Sequence, residues 1–398
     1  MTRPLAILFQ RLGPYHHARM EAAANLFPIA AVEYSPLDPT YAWATVAPNG
    51  RYPVHTLFPE VQIGSQSLRR VRERLWRLLD GLGPSAVAVP GWSAPASLLA
   101  LEWCQRSGVP AVLMSESQET DARRNALQEL LKRRVVRQFA AGLVGGQSHR
   151  RYVETLGLPA ERVFDGYDVI DNAHFANGAD EARRSAPDLR SRLGLPERYF
   201  LAVSRFVPKK NLERLVEAYR RYRHASGASA WSLVLLGDGA LRPELLRLRD
   251  RLGLAAHVLL PGFKQYEELP VYFGLAQAFV HASTVEQWGL VVNEAMASGL
   301  PVLVSDRCGC APDLVSEGVN GHTFDPFDAA DLSQRLVSVA SDPAALASMG
   351  QASREIIARW STARFAEGLR SAVTAASTRG HPRAGLTDLL VIRGLALR

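Results

Sequence analysis

Residues 278–305 read Ala278-Phe-Val-His281-Ala-Ser-Thr-Val-Glu286-Gln-Trp-Gly289-Leu-Val-Val-Asn-Glu294-Ala-Met-Ala-Ser-Gly299-Leu-Pro301-Val-Leu-Val-Ser305. The apolar run Ala278–His281 reads as a strand, Gly289 as a turn, Leu290–Ala297 as a helix and Pro301–Ser305 as a second strand. Strand, helix and strand in immediate succession are the signature of a parallel α/β fold.

The same alternation extends to both sides. After the stretch, helices are expected at Ala329–Ala340, Ala344–Ala358 and Thr362–Ala376. Before it, strands are expected at Tyr199–Ser204, Ser232–Gly237 and Val258–Leu260, with helices at Leu212–His224, Leu241–Leu252 and Glu267–Phe273. The first half repeats the theme. Its strands are Leu5–Gln10, Ala86–Pro90, Ala111–Ser115 and Gly142–Gly145; its helices are Tyr15–Leu26, Ser67–Leu82, Ala94–Ser107 and Arg123–Ala140. Residues 172–196, rich in Ala, Asp, Arg, Asn and Gly, read as a link. The expected domains are therefore 1–178 and 179–365, with the segment from about 366 to 398 packing back on the first. Ligands of such folds bind at the carboxyl ends of the strands.

The 398 residues suffice for two domains, and 47% hydrophobic with 21% charged residues is ordinary for a globular chain. The net charge of +7 suits polyanions or phosphorylated ligands without choosing among them. Three cysteines (Cys104, Cys308 and Cys310) do not make a disulfide framework and fit a reducing cytosol. The first apolar run is too short for a signal peptide, and no run approaches a membrane span, so a cytoplasmic location is expected.

The chemistry concentrates between Glu286 and Glu294. Glu286 falls in the loop and Glu294 about one turn into the helix. Between them the backbone N–H groups of Gly289, Leu290 and Val291 point out of a helix N-terminus, which carries partial positive charge and suits a diphosphate. A carboxylate beside it can accept hydrogen bonds from ribose or sugar hydroxyls. Arg205 and Lys210 follow the strand Tyr199–Ser204, where they either neutralise a departing diphosphate or form a basic surface loop.

Glu286-x7-Glu294, followed by Ala295-Met-Ala-x-Gly299-x-Pro301-Val302, resembles the retaining glycosyltransferases of family 4. So do Ser204-Arg205…Lys210-Asn211, Leu236-Gly-Asp-Gly239, Pro261-Gly-Phe263 and Gly321-x-x-Phe324. The resemblance implies the GT-B fold, two Rossmann-like domains with parallel sheets facing across a cleft. It also implies a nucleoside-diphosphate sugar as donor and a sugar, lipid-linked or small-molecule acceptor. On the matching positions Arg205 and Lys210 would hold the pyrophosphate, Glu286 the donor sugar and Glu294 the ribose. The Gly289–Val291 backbone would contact the sugar or phosphate, and Phe263 would line the base pocket.

In the first half, Gly13-Pro-Tyr-His16-His17 follows the first strand. The family's loop here approaches donor phosphate and acceptor; Gly13 would supply a tight turn, and His16 or His17 either contacts ligand or caps the helix. Where many members place a histidine after the strand Ala111–Met114, this chain has Ser115-Glu116-Ser117. Glu116 either meets the acceptor or a sugar hydroxyl, or serves structure. Asp165-Gly-Tyr-Asp168-Val-Ile-Asp171-Asn172 is read as hinge structure.

Gly237-Asp-Gly239 is an incomplete dinucleotide fingerprint and reads as an ordinary strand-to-helix turn. With no Asp-x-Asp pair anywhere and two cations in place, no metal and no cofactor are expected. A nucleic-acid partner is not expected, since no recognisable module is present. The helix carrying Arg69, Arg70, Arg72, Arg74 and Arg77 with Val71, Leu75, Trp76 and Leu79 either rests on an anionic membrane or packs its apolar stripe on the sheet. The reading is a metal-independent retaining glycosyltransferase of polysaccharide or glycolipid assembly. Its rivals are a disaccharide synthase or phosphorylase of the same fold, and a non-catalytic sugar-nucleotide or polyanion binder.

Overall fold

A computed structural model describes residues 3–37, 50–122, 124–378 and 384–397. The chain forms two compact units, Met1–Val169 with Ser361–Arg398, and Ile170–Trp360.

In the first unit the chain runs β1 (Leu5–Phe9), α1 (Pro14–Ala24), β2 (Ile29–Glu33), β3 (Val54–Thr56), α2 (Leu68–Leu82), β4 (Ala86–Pro90), α3 (Pro95–Ser107), β5 (Ala111–Ser115), α4 (Ala126–Val136), β6 (Ala141–Val144), α5 (Gln147–Thr155) and β7 (Val163–Asp165). The seven strands are parallel in the order β3-β2-β1-β4-β5-β6-β7. Every residue of β1, β2, β5 and β6 is buried, as a sheet with helices on both faces requires.

The second unit contains α6 (Asn172–Arg184), α7 (Ala186–Leu193), β8 (Tyr199–Val203), α8 (Leu212–Ser226), β9 (Ser232–Leu236), α9 (Arg242–Arg251), β10 (Val258–Gly262), α10 (Leu269–Leu275), β11 (Ala278–His281), α11 (Leu290–Ala297), β12 (Val302–Ser305), α12 (Ala311–Leu314), β13 (Gly321–Phe324), α13 (Ala329–Ser341) and α14 (Pro343–Ile357). Its six parallel strands are ordered β10-β9-β8-β11-β12-β13. Both sheets reverse direction once, at β1/β4 and at β8/β11. Such a switch point opens a crevice at the carboxyl ends of the strands.

The chain then returns to the first unit as α15 (Thr362–Thr378) and α16 (Leu386–Ala396). Helix α15 packs on α1, β6 and β7, and α16 on α3 and α4. The buried Glu102 accepts from Arg393 Nε at 2.6 Å and from Arg106 Nε at 3.1 Å, tying α16 to α3.

Two expectations are corrected. Residues 172–196 are not a link: they form α6 and α7, and the chain passes between units at Val169–Ile170. Asp171 caps α6 by accepting from Ala173 and His174 at 3.0 and 3.1 Å, and Phe175, Ala179 and Ala182 are buried. Gly178 and Gly274 let α6 and α10 close to near-backbone contact. The helix expected from Arg123 begins at Ala126, where Asn125 caps it; Arg123 itself lies outside the described residues, as do Met1 and Thr2. Strands β2, β3, β7 and β13 are additions, short segments whose order comes from their neighbours.

The Gly237-Asp238-Gly239 turn is structural. Gly237 has φ 137°, and a Cβ there would lie 1.9 Å from Ser204 O. Gly237→Ala combines forbidden backbone with a clash against the loop after β8. It should destabilise the second unit by at least about 2 kcal/mol, read as a lowered thermal transition of the full chain.

Candidate active site

The loops leaving β8 and β11 flank the switch point of the second sheet and are stitched together. Thr284 N–H donates to Lys209 O at 2.9 Å, and the Asn211 side-chain amide donates to Ala282 O at 3.1 Å and to Pro326 O at 2.7 Å. Asn211 takes left-handed backbone with φ 58°, a conformation asparagine tolerates better than most residues. This turn presents Lys210 to Glu286.

Glu286 Oε2 is the focus of the site. The Lys210 ammonium donates to it, His281 Nε2 lies 3.1 Å away, and the Ser283 hydroxyl donates at 3.0 Å. Ser283 Oγ also lies 3.2 Å from His281 Nε2. Burial by itself pushes the Glu286 carboxyl up. The His281 hydrogen bond and the Lys210 charge outweigh it and hold the group well below the usual carboxylate range. Burial also lowers the His281 pKa, so its ring is neutral near pH 7.

Gly289 begins α11 at φ 102°, and a Cβ there would approach Glu286 Cγ, His281 Nε2 and Cys310 Sγ at 3.4–3.7 Å. The positive φ, not lack of space, favours glycine here, and Leu290 and Val291 follow in the first helical turn, whose N–H groups have no acceptor within the helix. Glu294 is buried on α11, and Tyr266 lies within reach of its charge. Arg205 is half-buried beyond β8, and Phe263 is exposed beyond β10. Cys308 and Cys310 are buried supports: Gly309 N–H donates to Glu286 O at 3.0 Å and Cys310 N–H to Trp288 O at 3.3 Å. Burial pushes both thiols up, leaving them protonated.

Sequence reasoning missed His281 and Ser283. The signal was available: a polar residue ending an apolar strand, and a hydroxyl three residues before Glu286.

In the first unit, the loop after β1 is held by Glu33, which accepts from Leu12 N–H at 2.7 Å and from the Thr56 hydroxyl at 3.1 Å. Gly13 does not make a tight turn, which corrects that expectation. It is extended at φ −120°, and a Cβ there would meet only His16 Nδ1 at 3.8 Å. Its N–H donates to His16 Nδ1 at 3.1 Å, so His16 caps α1. Burial, then the charges of Arg19, His17 and Arg11, lower the His16 pKa to about 3. His17 is turned inward, with Nδ1 2.7 Å from the Tyr52 hydroxyl.

Glu116 follows β5 and shares a hydrogen bond with the buried Asp168, whose pKa is raised by burial and then by the Glu116 charge. Arg19 completes the group, 3.9 Å from Asp168 and donating to Val169 O at 2.9 Å. Asp168, expected as hinge structure, is thus part of a buried charge cluster.

Residues 187–356 match the family described as glycosyl transferases group 1. The chain is 33% identical over 195 residues, 46% of its length and 50% of the relative, to the GDP-mannose-dependent alpha-(1-6)-phosphatidylinositol monomannoside mannosyltransferase of Mycolicibacterium smegmatis. It is 31% identical over 191 residues, 47% of each chain, to the alpha-D-kanosaminyltransferase of Streptomyces kanamyceticus. It thus spans about half the length of these relatives. Among solved structures, the sucrose-phosphate synthase of Thermosynechococcus elongatus superposes with a TM-score of 0.75 at 19% identity, covering 93% of this chain and 98% of that one. Anabaena HepE in complex with UDP gives 0.71 at 18% identity, covering 93% and 99%. These likenesses establish the fold as that of GT-B glycosyltransferases.

A carboxyl with a depressed pKa stabilises the fold above its unfolded pKa, near 4.5, and loses that contribution as pH falls through the folded value. Lys210→Met removes the charge that helps hold Glu286 ionised. It should cost about 2 kcal/mol at about pH 7, with the gap to the parent narrowing as pH falls below about 4.5 in thermal unfolding. A gap independent of pH would assign Lys210 a packing role alone.

Proposed function

We propose that this chain is a retaining, metal-independent glycosyltransferase that moves a sugar from a nucleoside-diphosphate sugar to an acceptor hydroxyl, in polysaccharide or glycolipid biosynthesis. The observation that carries the reading is the second sheet's switch point, where the loop bearing Arg205 and Lys210 is joined to Glu286 and the N-terminus of α11. Cations and helix N–H groups side by side suit a diphosphate leaving group. In this reading Arg205 and Lys210 neutralise the pyrophosphate, and the chain's own cations do the work that needs no metal or other cofactor. The Gly289-Leu290-Val291 backbone holds the phosphate or sugar, Glu286 the sugar hydroxyls and Glu294 the ribose. Phe263 borders the base. In the first unit Gly13, His16 and Glu116 are the residues assigned to the acceptor. The match of residues 187–356 to a glycosyltransferase family supports the reading, as do relatives named for GDP-mannose and lipid acceptors.

A peripheral membrane contact belongs to the same proposal, but not through α2. Its Val71, Leu75 and Leu79 are buried, Trp76 donates to Leu99 O at 3.0 Å, and Arg74 donates to Leu57 O at 2.6 Å. The neighbouring α4 and α16 instead expose Leu127, Leu130, Leu386 and Leu390 beside Arg133, Arg134 and Arg137. Exposed apolar side chains on a helix that also carries exposed arginines suit an anionic lipid surface. No helix among the described residues is long and apolar enough to cross a membrane.

Thermal unfolding with UDP, GDP, ADP or CMP, each with and without EDTA, tests the donor site. A ligand at 100 times its Kd adds about 2.7 kcal/mol. One nucleoside diphosphate should stabilise the protein, the shift should survive EDTA, and Glu294→Ala should diminish it. No shift with any nucleotide would move the assignment to a sugar-phosphate enzyme or a binder without catalysis.

The protein should also sediment with vesicles containing phosphatidylglycerol more than with pure phosphatidylcholine. The double variant Leu127→Ser, Leu130→Ser should reduce that binding; equal sedimentation of both proteins with both vesicles would remove the membrane from the proposal.

A further inference from the structure

Lys210 meets Glu286 Oε2 as a cation, and His281 and Ser283 meet it as neutral groups. An ammonium is a compact point charge on a flexible stem, so it fixes where negative charge sits without fixing the plane of a carboxylate. The other two groups are held rigidly. His281 ends β11, 2% exposed, with its ring stacked 6.1 Å from Phe279. Ser283 is fully buried two residues later. A neutral imidazole has one N–H, and its bond to the carboxylate places that proton on Nε2. The serine hydroxyl supplies a second directed donor, 3.0 Å from the same oxygen.

At the start of α11, Gly289 borders the same ring and the same glutamate: a Cβ added there would come into contact with both, at 3.6 and 3.4 Å. A carboxylate gripped at one oxygen by two directed donors and a cation has its side-chain torsions fixed. Its second oxygen is then oriented by the protein before any ligand arrives.

We propose that His281, with Ser283, is a positioning residue: it holds the Glu286 carboxylate in the orientation that receives the donor sugar's hydroxyls. This rests on the assignment of Glu286 to the donor sugar and deepens it. A misplacement of about 1 Å in a positioning shell can cost up to about a hundredfold in rate. The nucleoside diphosphate itself is held by other groups in that assignment, so its binding is indifferent to His281.

The test uses the full chain and follows release of nucleoside diphosphate from UDP-glucose and from GDP-mannose, alongside calorimetric affinity for UDP and GDP. His281→Phe keeps a ring of similar bulk without the donor. It should lower turnover about tenfold to a hundredfold while nucleoside diphosphate affinity is unchanged. His281→Gln, whose amide can donate from a similar position, should recover much of the loss, and Ser283→Ala should act in the same direction as His281→Phe.

If His281→Phe fails to fold, the Ser283→Ala and His281→Gln pair decides: lost turnover in the first with retained turnover in the second supports the proposal. Equal loss of turnover and of nucleoside diphosphate affinity would make His281 a structural residue and overturn it. Full turnover in His281→Phe and Ser283→Ala, with loss in Glu286→Gln, would also overturn it while leaving Glu286 in place. Full turnover in Glu286→Gln would overturn the assignment beneath it. No release from either donor by the parent protein would overturn both.

Discussion

The carboxylate of Glu286 is the charge around which the end of the second sheet is organised. A buried anion is tolerated only when it is paired and hydrogen-bonded. Here the partners come from two loops on either side of the strand reversal, Lys210 after β8 and His281 with Ser283 at the end of β11. Satisfying one carboxylate therefore closes two loops onto each other. The auxiliary bonds from Thr284 and Asn211 keep them closed. The Gly309 and Cys310 backbone then grips the Glu286–Trp288 segment from the β12 side.

The first unit solves a related problem with a different balance. Glu116, Asp168 and Arg19 put two carboxyls and one guanidinium together at the ends of β5 and β7 and on α1. Burial, then the charge of the half-buried Glu116, outweigh Arg19 and drive Asp168 towards its protonated form. The Arg19 side chain also grips Val169 O, the last residue before the chain enters the second unit. The loop after β1 is held by another buried carboxylate, Glu33. In both units, then, the loops at the carboxyl ends of the strands are fixed by buried acids. The many exposed ion pairs on the outer helices, such as Arg69 with Glu73, contribute little.

The fold class was legible because its signal is local. Strands such as Ala86–Pro90 and Ala111–Ser115 are apolar runs bounded by turn residues, and α11 follows its glycine at the expected place. The misses share a cause. β2, β3, β7 and β13 are short or poor in β-branched residues, and they are strands because a neighbour offers a ladder of hydrogen bonds. The stretch 172–196 looked like a linker by composition, yet alanine favours helices, and Asp171 with the buried Phe175 supplies the cap and the anchor.

By itself the sequence determined the alternation of strand and helix, and hence parallel sheets. It also placed Arg205, Lys210, Glu286 and Glu294 at strand ends and a helix start, because periodicity and glycine position are properties of contiguous residues. Only the tertiary structure decided which of those residues meet. Lys210 and Glu286 are 76 residues apart and pair because β8 and β11 are neighbours in the sheet. The same folding turned His17 inward to Tyr52, relieved Gly13 of any turn and joined Glu116 to Asp168. It also returned α15 and α16 to the first unit. Contacts of this kind depend on strand order and helix packing, which no local pattern encodes.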